Sequence, residues 1–268
     1  MAAVAIGRRT FAARAGHCRV ELGDLGLVEA ADELLWLKHA IGHVARRLGY
    51  SATFMPQPLH GAAGSGLGCR QALWQGDRNL FAGPGAGATS DLCRWYAAGI
   101  LAHAPALAAL ANPTTNSFRR LASPGAPTEL AWPPPEQAAA LQLVGSAPAP
   151  QSELGIEARF PDPSCNPYLA LSALLMAGLD GIRRRLDPPA PKRRRSAPRG
   201  AASTGTGRLP ASLGEALDAI ERDHGFLLEG EVFGAELIER SVRDKREREI
   251  AEQAARPVPY EFELYYDV

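Results

Sequence analysis

The chain carries no excess charge of either sign. Its 29 Lys and Arg residues balance 29 Asp and Glu, so no global field draws it toward nucleic acid or an anionic membrane, and neither is expected as a partner. Cysteine is scarce. Cys18, Cys69, Cys93 and Cys165 lie far apart with no CxxC pair, which excludes a sequence-local zinc or redox motif and fits a reducing compartment, so a cytoplasmic location is expected. No apolar run is long and clean enough to span a bilayer, because the best stretch, Trp95 to Leu110, is broken by His103 and Pro105. What is present is an ordinary globular composition. With 268 residues, 46% hydrophobic and 22% charged, the chain can bury one sizeable core or two modest ones.

Periodicity then places the elements. Leu34, Leu37, Ile41, Val44 and Leu48 recur at helical spacing, so Ala31 to Gly49 reads as an amphipathic helix ending on a glycine, followed by a short strand at Ala52 to Met55. Ser90 is a good N-cap for a helix toward Leu110, in which Pro105 predicts a kink or split. Glu157 to Phe160 reads as a strand. Beyond Pro161 and Pro163, Asn166 caps a helix with Pro167 in its first turn and Leu169, Leu171, Leu174 and Leu175 inside. Arg183 to Arg208 is rich in Pro, Arg, Ala, Ser and Gly and poor in large apolar residues, so it is expected to be a flexible loop; its run Lys192 to Arg195 reads as solvated basic charge. Helical periodicity returns at Ser212 to Arg222 and at Ala235 to Ala255. The closing PYEFELYYDV alternates Phe262, Leu264 and Tyr266 with Glu261, Glu263 and Tyr265, which predicts a two-faced strand that invites pairing with another subunit.

Two stretches, ANPTTNSFRRL at Ala111 to Leu121 and ARFPDPSCNPYLALSALLMAGLDGI at Ala158 to Ile182, resemble the C-terminal catalytic part of type I glutamine synthetases. ATFMPQPL (Ala52 to Leu59), GSGLGCRQALWQGDRNLFAG (Gly64 to Gly83), the turn at Leu228 to Phe233 and the terminal EFELYYDV look like the same family in the same order. The start, MAAVAIGRRTFAARAG, is only faintly like a transit peptide, and the resemblance begins within it. The resemblance implies an α+β catalytic domain, a curved antiparallel sheet forming an incomplete half-barrel packed with helices. Residues 1–10 read as an N-terminal tail and 11–268 as a partial catalytic domain, without the family's N-terminal β-grasp domain or its first glutamate-bearing catalytic strand. It also implies stacked rings of subunits, with the C-terminal region reaching into the opposing ring.

The family reaction moves the γ-phosphate of ATP to glutamate and lets ammonia attack the acyl phosphate. It needs Mg or Mn ions, arginines and a base. By resemblance, the glutamate of GQxE falls on Arg19 and a second glutamate on Phe11; the HxH pair of histidines becomes Gly68 and Arg70; and only Glu157 keeps a metal-ligand residue. A lone carboxylate does not satisfy a divalent ion that takes about six oxygen ligands. An arginine 4 Å from that ion would repel it by roughly 8 kcal/mol at an effective dielectric near 20. Arg19 or Arg70 is therefore expected to pair with Glu157, a guanidinium standing where the cation stood.

The arginine-bearing RNRSASIR segment aligns with Pro135 to Gln142, Gly155 replaces a nucleotide arginine, the PGYEAP flap shrinks to Ser123 to Pro127 without an acid, and Ala63 replaces a substrate asparagine. Gly64, Arg120 and Arg159 resemble the family's glutamate contacts and read either as residual carboxylate binders or as structural ion partners. His39 and His43 stand four apart, as metal ligands can, but no carboxylate joins them and Arg46 shares the face, so they read as a solvated surface. The expectation is a pseudoenzyme of the glutamate–ammonia ligase lineage, with no cofactor, that self-assembles or joins a full-length synthetase. The rival is an active glutamate–ammonia or glutamate–amine ligase, completed by another subunit and using ATP with Mg or Mn.

Overall fold

A computed structural model describes residues 6–11, 16–85, 87–132, 138–145, 151–189 and 207–267. Strands β1 (Ile6–Phe11) and β2 (Cys18–Leu22) pair antiparallel, so pairing starts inside the stretch read as a tail. Helix α1 (Leu27–Arg47) follows, then β3 (Cys69–Gln71) and the small hairpin β4 (Trp74–Gln75) and β5 (Arg78–Asn79). Helices α2 (Asp91–Ala111) and α3 (Thr115–Leu121) precede β6 (Leu141–Val144), β7 (Gly155–Ala158) and α4 (Pro167–Arg184). The chain then runs through α5 (Leu213–Arg222), α6 (Gly225–Leu228), α7 (Ala235–Lys245), a π-helical turn Arg246–Ala251, α8 (Glu252–Ala254) and α9 (Pro259–Tyr265). The architecture is α+β, helix-rich, with the sheet present as separate antiparallel pieces rather than a closed barrel; the central piece has strand order β3-β7-β6.

The core is built around α2. Cys93, Tyr96, Ile100, Leu101 and Leu107 are all buried on it, and it packs against α4 and α5. Its start is fixed by Ser90 Oγ, which accepts from Cys93 N at 3.1 Å. Pro105 does not split the helix, because burial on most sides outweighs the roughly 3 kcal/mol that an interior proline costs. Glycine sets the approach of α2 to α4. A Cβ on Gly99 would fall 2.1 Å from the Ala177 carbonyl oxygen, one on Gly181 2.2 Å from that of Trp95, and one on Gly178 2.1 Å from the Tyr96 ring. Two backbones this close leave room for hydrogen alone.

Asn166 caps α4 as expected, its Oδ1 accepting from Tyr168 N at 3.0 Å with Pro167 opening the helix, and Ser212 Oγ caps α5 from Glu215 N at 3.2 Å. The described residues correct four expectations. Ala52 to Met55 is irregular, since no strand lies beside it to supply a ladder. The strand expected at Glu157 to Phe160 sits earlier, at Gly155–Ala158, because Val144 extends the ladder back to Gly155 while Cys69 and Leu141, opposite Ala158, end it there. The loop expected from Arg183 begins later, as α4 runs through Arg184 and closes with Arg185 in the left-handed region; the Lys192 to Arg195 run lies outside the described residues. The terminal segment is helix α9 rather than a strand, with Pro259 in its first turn and Tyr260, Phe262, Leu264 and Tyr265 exposed.

Among the described residues no helix is long and apolar enough to cross a membrane.

Candidate functional site

The two longest motifs of the sequence meet at the loop leaving β7. Asn112, the C-cap of α2, donates from Nδ2 to the Phe160 carbonyl at 2.7 Å and to Asp162 Oδ2 at 2.9 Å. Arg120, in the last turn of α3, donates from Nη2 to the carbonyls of Phe160 and Pro161, the latter at 3.1 Å. Asp162 in turn accepts from Ser164 N at 3.0 Å, while its own amide donates to Ala111 O at 3.1 Å. The turn Phe160–Pro161–Asp162 is thus gripped from two helices. Asn116 extends the grip, exchanging hydrogen bonds with the Gln57 backbone at 2.8 and 2.9 Å and so fixing the irregular segment that precedes Gly64.

Arg120 is only 6% exposed. Burial lowers its pKa, with the Asp162 carboxylate opposing that effect. The glycine-rich loop lies flat against it. A Cβ on Gly64 would come 2.6 Å from Arg120 Cγ, 2.6 Å from the Pro56 carbonyl and 2.7 Å from Gln57 Oε1; one on Gly66 would come 2.9 Å from Arg120 Nη1. Two buried polar atoms at this point, Arg120 Nε and Gln57 Oε1, have no protein partner. Gly64 and Arg120 are therefore brought together. Arg159 sits just beyond β7 on the same segment, half-buried and engaged, its amide donating to Ala140 O at 2.9 Å.

The central ladder sets out the other candidates. Arg70 on β3 and Gln142 on β6 both face Glu157 on β7 in register. Being in register does not make them an ion pair. The Arg70 side chain runs over Gly155, 3.3 Å from where a Cβ would lie, and its Nη2 donates to the Glu153 carbonyl. Arg19 pairs with Glu21 at 3.2 Å. The expected guanidinium clamp on Glu157 is absent, because each arginine finds a nearer acceptor. The Glu157 carboxylate instead occupies the space beside Gly68, its Oε1 2.2 Å from a Cβ built there.

Metal chemistry has little to draw on here. Among the described residues no group of three or more His, Cys, Asp or Glu side chains gathers as a metal site requires, and Glu157 alone does not fit the shell of a hard divalent ion. Cys69, beneath it, is buried; desolvation first, then Cys165 and Glu157, push its thiol up, and Cys165 is pushed up to about 12. Neither supplies a thiolate at neutral pH. The shortened flap, Ser123 to Pro127, is a tight turn closed by Ala126 N donating to Ser123 O at 3.1 Å, with Gly125 in the left-handed region. Pro135 to Gln137 of the segment aligned with the family's arginines lies outside the described residues.

Sequence reasoning had no means of finding one further polar centre. His103 on α2 is buried between Asp180 of α4, at 2.9 Å from Nε2, and Asp223 at the end of α5, at 2.8 Å from Nδ1, and Phe226 stacks on its ring with centroids 3.9 Å apart. Its partners lie 77 and 120 residues away, so only its interruption of an apolar run was visible.

A helix-rich α+β scaffold, in which Asn112 and Arg120 clamp the turn after a central strand and the loop glycines pack on a buried guanidinium, is the class of fold that the site defines. The family is shown by direct comparison. The model of the glutamine synthetase catalytic domain matches residues 11–265. The glutamine synthetase of Frankia alni is 44% identical over 259 residues, covering 95% of this chain and 54% of that protein, and the one from Streptomyces coelicolor is 43% identical over 260 residues, covering 95% and 55%. Among solved structures, Plasmodium falciparum glutamine synthetase superposes with a TM-score of 0.87 at 25% identity, over 98% of this chain and 58% of that one; a GmaS/ADP complex gives 0.82 at 27%, over 98% and 60%. The chain belongs to the glutamine synthetase catalytic-domain family. It spans about half the length of the curated relatives it matches.

Proposed function

We propose that this chain is a glutamine-synthetase-like protein of the cytoplasm that keeps the family's scaffold and subunit contacts without completing ATP-driven amide formation. The observation that carries this reading is the surroundings of Glu157. Its carboxylate fills the space beside Gly68, the position of a metal histidine by resemblance, and Arg70, the companion position, sends its guanidinium to the Glu153 carbonyl. A lone carboxylate beside a glycine and an arginine gives Mg or Mn no shell in which to neutralise phosphate charge. Gly64, Arg120 and Arg159 are what is left of a carboxylate site, and the unpartnered Nε of Arg120 is the donor it would offer. The exposed aromatic face of α9 supports assembly with a second copy or with a full-length synthetase.

A specific observation favours the rival reading, an active ligase completed by another subunit. Gly64 packs directly on Arg120, and Arg120 Nε and Gln57 Oε1 beside it have no protein partner, as polar groups kept for a ligand would. The chain should be assayed for phosphate release with ATP, magnesium, glutamate and ammonium, alone and with a full-length synthetase, while thermal shift and sedimentation are recorded. No turnover, no ATP-plus-metal stabilisation and a defined oligomer are expected. Metal-dependent phosphate release by the chain alone would overturn the proposal.

A further inference from the structure

His39 and His43 lie one turn apart on α1, two and six residues on from Leu37. Leu37 is buried, whereas both histidines are exposed. The helix is tied down by Lys38 Nζ, which donates to the Pro163 carbonyl at 2.6 Å, and by Asp32, which accepts from Tyr168. The two imidazoles are not splayed into solvent. Their ring centroids are 4.3 Å apart with planes at 52°, and Trp36 meets the His39 ring edge-on at 5.9 Å.

That spacing matches a chelate. A late first-row divalent ion binds imidazole nitrogen at about 2.0 Å, which puts it roughly 3.2 Å from each ring centre; two rings at a right angle around it then have centres about 4.5 Å apart, and two at a tetrahedral angle about 5.2 Å. The observed separation falls with the right-angle, tetragonal case. The neighbourhood also selects among ions. Asp32, the carboxylate one turn before Trp36, is engaged by Tyr168, and Arg46 and Arg47 follow His43 by three and four residues. Hard cations that want oxygen ligands find none, and the nearby guanidiniums oppose any ion not held by strong nitrogen bonds. Affinity for such a site rises through Ni(II) to Cu(II).

We propose that His39 and His43 form a two-imidazole chelate for a tetragonal divalent ion, Ni(II) or Cu(II), whose remaining positions are taken by water. The site is remote in sequence from Glu157 and Gly68 and stands independently of the reading of the ligase site. The test is calorimetric titration of the untagged full chain with nickel chloride, chosen because Ni(II) does not oxidise the exposed thiol of Cys18, with tryptophan fluorescence followed in parallel. One ion per chain is expected, with partial quenching from Trp36. His39→Ala and His43→Ala should each weaken binding at least tenfold, and His60→Ala should leave it unchanged. Absence of saturable binding, equal binding by the double variant His39→Ala/His43→Ala, or displacement of nickel by millimolar magnesium would each overturn the proposal. Both histidines are exposed, so the variants are expected to fold, and the thermal transition of each confirms it.

Discussion

Replacing His103 with glutamine tests the energetics of the buried clamp between α2, α4 and α5. Both ring nitrogens of the protonated imidazole donate, to Asp180 at 2.9 Å and to Asp223 at 2.8 Å, and Asp180 also accepts from Arg183 at 2.6 Å and Arg184 at 3.0 Å. Burial by itself would lower the His103 pKa, but the hydrogen bonds and charges of Asp223 and Asp180 outweigh it, and the net shift is upward. Asp180 moves the other way: burial raises it, and His103, Arg183 and Arg184 together bring it below the ordinary carboxylate value. The signs follow by linkage. The stabilisation from His103 is fully present below the unfolded imidazole value near 6.5 and is lost as pH rises through the raised folded value. That from Asp180 is present above the unfolded carboxylate value near 3.9 and is lost as pH falls through the depressed one. The clamp should therefore be strongest between about pH 4 and 6.5.

Removing one partner of a buried ion pair typically costs 3–5 kcal/mol, and because two arginines still serve Asp180, about 2–4 kcal/mol is expected for His103→Gln. For a chain of this size that is a fall in Tm of roughly 5–15 °C. Thermal unfolding from pH 5.5 to 9 should show the wild type losing stability as pH rises, and the variant a flatter profile. A variant that melts within a degree or two of the wild type at pH 6, or that keeps the wild-type slope, would refute the clamp.

Gly99→Ala should destabilise by about 3 kcal/mol or more, since its Cβ meets backbone that has nowhere to move, and the change is read as a lowered denaturant midpoint. Gly64→Ala places a Cβ against Pro56 O and Arg120 Cγ and should cost about 1–3 kcal/mol by the same measurement. Arg120→Met leaves the Phe160 and Pro161 carbonyls without that donor, and an unfolding loss of about 1–3 kcal/mol is expected even if no ligand is ever bound. Ser212→Ala removes the cap of α5 and should cost about 1 kcal/mol, visible as faster amide exchange at Glu215.

The elements that could be read in the sequence were those whose signals are local. Ser90 and Asn166, the latter followed by Pro167, each accept the amide hydrogen bond that their residue type predicts, and apolar spacing marks the buried faces of α2, α4 and α5. The C-terminal segment misled because its alternation of Phe262, Leu264 and Tyr266 reports no buried face: those side chains are exposed, so no packing enforces a period of two, and Pro259 suits the first turn of a helix. Ala52 to Met55 looked like a strand, yet its neighbourhood is set by the contact between Gln57 and Asn116, 59 residues away. At the candidate site, the motifs pointed to an ion pair of Arg19 or Arg70 with Glu157; Arg70 lies opposite Glu157 in register, but neither arginine pairs with it. Which acceptor Arg70 reaches depends on Gly155 leaving room above the strand, a fact of packing that no motif carries.

The grip of Asn112 and Arg120 on the turn after β7 bears on how such proteins are recognised at all. Asn112 Nδ2 and Arg120 Nη2 are spent on main-chain carbonyls and on Asp162, so the letters that make the signature recognisable include those that close the scaffold. In this fold, signature strength measures whether two helices can be fastened to one loop. On the function proposed above, catalytic competence is a separate quantity, set at positions such as Gly68 and Arg70 that the fastening does not constrain.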